Sequence, residues 1–335
     1  MAAAAANNTL RSLGYGYVPG PGASQSDWVL SPRFAWKGQE NYDAVAAACT
    51  AWVKAQLAPR FGLAPVKLGE ATAYATPHLS SWSGPVLLLI CGSAPGGDCG
   101  VWGRALCIND STLSGSMFET ISRAKERGWA VVVADPHGCG ANDSPHKHLL
   151  TLWKNIPGAP LLVIGHSYGA AMAVGMLKAA EAEFGAQAVA QKMRALALTD
   201  GMVWAPATGW RGGAAVAHEG LSVNATDAEL DEAAGDDAAK RKALAARRAE
   251  LRKWQAVLPS FEPPSDALLQ LLVSVGRDWV ASERPLGTRV AVEGQRLIPS
   301  VSAGVTSHPA TTHAALDDVF AFLDRAASRR KRTRE

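Results

Sequence analysis

Two rhythms of apolar residues divide this chain. One is the short unbroken run bounded by turn residues: Val86 to Cys91, then the runs inside "WAVVVADPHG", "PLLVIGHSYG" and "MRALALTDG". Such runs predict strands buried on both faces. The other rhythm places apolar residues at helical spacing, over residues 41–57, 115–128 and 170–185, with Gly128 closing the second. "LIPSVSAG" predicts a last strand and "ATTHAALDDVFAFLDRAA" a last helix. Strands alternating with helices predict a parallel sheet with right-handed crossovers.

Residues 226–257 break this alternation. They are polar, Ala-rich and helical in pattern, and Thr226 with Glu229 forms a capping-box spacing. They read as an insertion before the last strand, placed where a lid over the sheet's carboxyl edge, or a solvated surface helix, would lie. Residues 1–35 read as a disordered Ala-rich start followed by a Gly, Pro and Ser-rich loop from residue 14. Residues 36–326 then form a single domain, and residues 327–335 a basic tail. No internal repeat of fixed period divides the chain.

The third apolar run ends in Gly165-His166-Ser167-Tyr168-Gly169, which fits G-x-S-x-G. The motif gains meaning from its context, a strand before and a helix after. A serine on such a sharp turn projects its hydroxyl from the carboxyl edge of the sheet. The expected fold is therefore α/β, a doubly wound, mostly parallel sheet of α/β-hydrolase type with a helical insertion before the last strand. A nucleophilic serine needs a base, an orienting acid and oxyanion donors. The chain order Ser, acid, His, with sites formed where loops leave the carboxyl ends of strands, points to Asp200, at the end of "RALALTD", and His308, in the loop after the last strand. Asp278 competes for the acid role. His313 competes with His308, but its pattern places it inside or capping the last helix. The amide of Tyr168 is one expected oxyanion donor. Ser93 or Ala94, in the Gly-rich loop after Val86 to Cys91, is the other. His166 reads as structural, and His137, His146 and His148 lack the spacing of a metal site.

Composition narrows this picture without changing it. The 335 residues are 48% hydrophobic and 19% charged, enough to bury a sizeable core. A net charge of +3 does not by itself mark a nucleic-acid binder. No run of eighteen apolar residues suggests a membrane span, and the start lacks the pattern of a secretory signal. The five cysteines, Cys49, Cys91, Cys99, Cys107 and Cys139, are odd in number and have no C-x-x-C spacing. Reduced thiols in a cytosolic or nuclear setting fit them better than disulfides or zinc. No cofactor is expected.

Several segments resemble one family, the Arb-two domain family, named for an argonaute-binding subunit of the argonaute small-RNA chaperone complex. They are "LRSLGYGY", "VWGRALCINDSTLSGSMFETISRAKERGWAVVVADP", "VIGHSYGAAMAV", "ALALTDGM", "RDWVASERPLGT" and "VSAGVTSHPATTHAALDDVFAFL", in the family's order over roughly residues 10–325. The family pattern near the last strand keeps the histidine at His308 but has an acidic residue where this chain has Pro309. The resemblance implies an α/β-hydrolase fold with Ser167 at the turn. It also implies association with small-RNA-directed silencing, heterochromatin and the nucleus.

Two functions follow. The first is a nuclear silencing or chromatin factor that uses the hydrolase fold as a scaffold for an argonaute or silencing complex. Arg329, Arg330, Lys331, Arg332 and Arg334 of its tail would serve as a nuclear-import signal or touch small-RNA phosphates. The alternative is an active serine hydrolase acting on an ester, thioester or amide through Ser167, Asp200 and His308. A carbohydrate or lipid esterase with no link to RNA is a narrower form of the alternative. The fold does not choose between them, because function lives in the site.

Overall fold

A computed structural model describes residues 2–22, 24–92, 98–138, 145–157, 160–201, 227–235, 264–290 and 298–328, with several residues between 237 and 245. Its strands are β1 (Gly16–Pro19), β2 (Trp28–Ser31), β3 (Ala64–Leu68), β4 (Ala71–Ala75), β5 (Val86–Ile90), β6 (Ala130–Ala134), β7 (Leu161–His166), β8 (Met193–Thr199), β9 (Gly276–Val280) and β10 (Ser300–Ser302). The helices are α1 (Ala2–Ser12), α2 (Gln39–Phe61), α3 (Arg104–Asn109), α4 (Thr112–Gly115), α5 (Phe118–Glu126) and α6 (Pro145–Asn155). They continue with α7 (Tyr168–Phe184), α8 (Ala186–Lys192), α9 (Asp227–Ala234), α10 (Asp266–Val275), α11 (Thr311–Ala314) and α12 (Leu316–Ala327).

The main sheet has the order β10-β9-β8-β7-β5-β6-β4-β3. β4 runs antiparallel to both β3 and β6, and the pairs from β6 to β10 are parallel. This mixed order, with β5 and β7 side by side at the centre, is that of the α/β-hydrolase fold. The two-residue period of a strand sends alternate side chains to opposite faces. Leu87, Leu89, Val131, Val133, Leu162 and Ile164 thus join one core, with Trp52 and Leu57 of α2, Phe118 of α5 and Phe320 of α12. Val86, Leu88, Ile90, Val132 and Val163 join the other, with Leu149 of α6, Met172 and Leu177 of α7, and Leu272 of α10. Because both faces are covered, these strands carry apolar residues throughout instead of alternating.

The start of the chain departs from its sequence reading. Residues 2–12 form a helix, not a disordered segment, because Ala6 and Leu10 are buried against the core and Asn7 accepts a hydrogen bond from the Trp52 indole at 2.7 Å. The segment read as loop contains the antiparallel pair β1 and β2. The edge strands β3 and β4 were also missing from the sequence reading. β3 alternates half-buried and exposed positions through Pro65 and Lys67, a short and mixed pattern. Of the insertion read at 226–257, α9 is described and helical, and Ala234 and Leu244 bury against each other. Thr226 and residues 246–257 lie outside the described residues, as does the basic tail from Arg329. Among the described residues, no helix is long and apolar enough to cross a membrane.

Helix α12 anchors the segment that carries His308. Phe320 is buried and stacks on Trp129, with ring centroids 6.0 Å apart. The Arg127 guanidinium lies 4.6 Å from the centre of the Phe320 ring and bonds both oxygens of Asp324, at 2.8 and 3.0 Å. Phe320→Ala should therefore lower unfolding free energy by about 3–5 kcal/mol, the usual cost of deleting a buried aromatic ring. Chemical denaturation of the purified variant measures this.

Candidate active site

Ser167 occupies a sharp turn between β7 and α7, with φ 55° and ψ −122°. A non-glycine residue in that region is strained by about 1–3 kcal/mol, and such strain concentrates at functional turns. The turn forms because its neighbours are small. A side-chain carbon at Gly169 would lie 2.4 Å from the Ile90 carbonyl oxygen and 2.5 Å from that of Cys91. One at Gly165 would lie 2.9 Å from the Gly169 oxygen. The helix start thus presses onto the end of β5, and only glycine allows it. The Ser167 amide donates to the Thr199 carbonyl at 3.1 Å, which ties the turn to β8 as well.

Asp200 follows β8 directly, in a left-handed conformation with φ 49° that aspartate tolerates better than most residues. Its amide donates to the Trp279 carbonyl at 2.7 Å, and its Oδ1 accepts from the Ala281 amide at 3.2 Å. The other oxygen, Oδ2, lies 2.6 Å from Nδ1 of His308. His308 begins a single 3₁₀ turn, His308–Ala310, after β10, and the Thr311 hydroxyl donates to its carbonyl at 2.9 Å. The Asp200 side chain is mostly covered and that of His308 is half exposed, so the pair lies at the protein surface with the acid beneath.

The structure thus brings Asp200 and His308 together at the edge that carries Ser167. The His308 ring centre lies 4.9 Å from that of His166, the residue before the serine. Among the described residues, the Ser167 hydroxyl makes no hydrogen bond to His308; in sites without substrate such bonds are often long and tighten only in the complex. Asp278 is instead buried in β9 and accepts from the Gly201 amide at 3.1 Å. His313 is exposed on α11. Tyr168 is the first residue of α7, which puts its amide at the positive end of a helix beside the serine. Ser93 and Ala94 lie outside the described residues.

The remaining histidines separate. His137 Nε2 lies 3.1 Å from the Gly92 carbonyl, and burial lowers its pKa. His146 and His148 sit on α6, where His146 Nε2 is 3.5 Å from the Tyr168 hydroxyl. No group of three metal-ligating side chains exists among the described residues. Cys49, Cys91, Cys99 and Cys107 are free and buried, and burial pushes the Cys49 thiol up to about 11. The reading of His166 as structural omitted its surroundings. It is buried, and its Nδ1 lies 3.2 Å from the hydroxyls of both Thr199 and Thr312. Neither threonine follows a motif spacing that sequence reasoning could have used.

No family model matches this chain, and no curated protein matches it by sequence. It is similar in structure to 2-hydroxy-6-oxo-6-phenylhexa-2,4-dienoate hydrolase from a Rhodococcus species, at 13% identity and TM-score 0.38, covering 78% of this chain and 96% of that one. The thioesterase domain from the curacin biosynthetic pathway shows 16% identity and TM-score 0.39, over 78% of this chain and 98% of that one. A lipase-esterase related protein from Clostridium acetobutylicum shows 12% identity and TM-score 0.36, over 75% and 98%. The fold assignment rests on the strand order and on the turn at Ser167.

Two outcomes follow from this geometry. Gly169→Ala should cost about 1–3 kcal/mol or more in thermal or chemical unfolding, because the Ile90 and Cys91 carbonyls are backbone and have little room to retreat. His166 supplies a pH dependence. Burial, then the neighbouring His308, lower its pKa from 6.5 to about 3, against smaller opposing effects of Asp200 and Thr199. Between these values the unfolded chain binds a proton that the folded chain refuses. Stability from this group is complete above pH 6.5 and is lost as pH falls toward 3. Replacing it by phenylalanine should reduce the loss of unfolding free energy between about pH 7 and about pH 4 by roughly 2–4 kcal/mol.

Proposed function

We propose that this protein is a serine hydrolase that cleaves an ester, thioester or amide. One observation carries the reading. A serine in a strained strand-to-helix turn shares a sheet edge with a histidine whose Nδ1 is bonded to a carboxylate at 2.6 Å. Asp200 accepts a hydrogen bond from the Nδ1–H of His308 and so fixes the tautomer whose Nε2 lone pair is the base. His308 takes the proton of Ser167 as the hydroxyl attacks the substrate carbonyl. The Tyr168 amide, at the start of α7, stabilises the negative oxygen that forms. His308 then protonates the leaving group, and water repeats the sequence on the acyl-enzyme. Asp200 is itself held by the Ala281 amide, so the imidazolium forms beside a fixed negative charge.

The scaffold reading, a silencing factor of the Arb-two type, ranks second. Its argonaute, small-RNA and nuclear expectations depend on the resemblance and on a tail whose cationic residues lie outside the described residues. The two readings part on one experiment. Under the hydrolase reading a fluorophosphonate probe labels the wild-type protein, Ser167→Ala abolishes labelling, and Asp200→Asn slows it by roughly 10³–10⁴-fold. Wild-type protein that stays unlabelled while folded returns the scaffold reading to first place.

A further inference from the structure

Beneath the three site residues lies a second set of three. His166 precedes Ser167, Thr199 precedes Asp200, and Thr312 lies one helical turn beyond His308. The three are buried, with Thr199 and Thr312 fully excluded from solvent. They touch one another. The Thr199 and Thr312 hydroxyls are 2.6 Å apart, and each is 3.2 Å from Nδ1 of His166. These elements come from three separate parts of the chain: the end of β7, the end of β8 and helix α11.

We propose that His166, Thr199 and Thr312 are positioning residues whose buried triangle of polar contacts holds His308 against Asp200. This rests on the hydrolase reading above. The physical argument starts with what fixes His308. Its own ring is half exposed, and α11, which follows it, is only four residues long. A short helix at a surface has little intrinsic stability. Among the contacts that tie α11 inward, the Thr312 hydroxyl reaches two partners on neighbouring strands, Thr199 and His166. The His166 ring in turn packs near that of His308, with centroids 4.9 Å apart and planes tilted by 33°. Trp102 meets His166 edge-on at 6.4 Å.

The triangle also suits the charge that the reaction creates. Burial, together with His308, outweighs Asp200 and the Thr199 backbone and keeps the His166 ring neutral. A neutral imidazole under an imidazolium adds no repulsion, whereas a second cation there would. Hydroxyls are suited to this place because each donates one hydrogen bond and accepts others, so the two threonines can partner either tautomer of His166 without a carboxylate. Breaking one corner leaves buried polar groups unpaired and loosens the other two.

The test uses the full chain and two readouts. The first is turnover of p-nitrophenyl acetate. The second is the downfield proton resonance of the His308 Nδ1–H bonded to Asp200, which does not require turnover. Thr312→Val should lower kcat about 10²-fold with KM unchanged, the scale expected for a misplaced catalytic group. It should also broaden or remove the downfield signal. Thr312→Ser, which keeps the hydroxyl, should restore both. Should Thr312→Val fold poorly, Thr199→Val opens another corner of the triangle and carries the same two readouts. Retention of wild-type kcat and of the downfield signal in folded valine variants overturns the proposal, and so does a wild-type protein that lacks the signal. A wild-type signal that Thr312→Val removes, with no turnover by either protein and no fluorophosphonate labelling of the wild type, keeps the positioning role and sinks the hydrolase reading.

Discussion

The close approach between the start of α7 and the end of β5 governs the rest of the site. At Gly169 the gap to the Ile90 and Cys91 carbonyls is too small for any side chain. Pressing the helix this far onto the sheet forces the preceding residue into the strained conformation seen at Ser167. The strain is affordable because the parallel strands on either side are fully buried and hold the turn in place. A larger residue at Gly169 would push the helix outward and let the serine relax, and the hydroxyl would no longer be presented at the sheet edge.

The other two site residues are placed by the same means, a short segment fixed by backbone hydrogen bonds to an adjacent strand. Asp200 turns left-handed immediately after β8 and is tied to β9 through the Trp279 carbonyl and to the chain beyond it through the Ala281 amide. His308 lies farther from the sheet and depends on the helix that follows. That helix docks through Phe320 and through the ion pair of Asp324 with Arg127. Trp279 adds a further tie, because its indole donates to Asp318 of α12 at 2.8 Å. The strand beside Asp200 and the last helix, beyond His308, are thus pinned to each other.

Burial sorts the histidines into roles. His166 is enclosed and kept neutral, and it supports neighbours without exchanging protons near neutral pH. His308 combines a carboxylate partner with access to solvent, which suits the general-base role proposed for it. His313, five residues later, faces outward from α11. The two carboxylates sort similarly. Asp200 reaches the surface edge, while Asp278 is spent on the Gly201 amide inside the sheet, where it steadies the chain just after Asp200.

By itself the sequence determined the fold class and the candidate serine, histidine and acid. Buried parallel strands are unbroken apolar runs, and a serine between glycines at a strand-to-helix break has a local signature, so both are legible residue by residue. The preference for His308 over His313 followed from loop against helix pattern, and Asp200 over Asp278 from its place at the end of the strand expected beside that of the serine. Tertiary structure decided what periodicity does not encode. The Ala-rich start became a helix because the core offered Leu10 a buried face, and β3 and β4 formed by pairing with each other and, through β4, with β6, not by their own weak pattern. The contact between His308 and Asp200 joins residues 108 apart in the chain, and that between His166 and Thr312 joins residues 146 apart. Such distances are closed by the packing of the whole sheet, and no local spacing carries them.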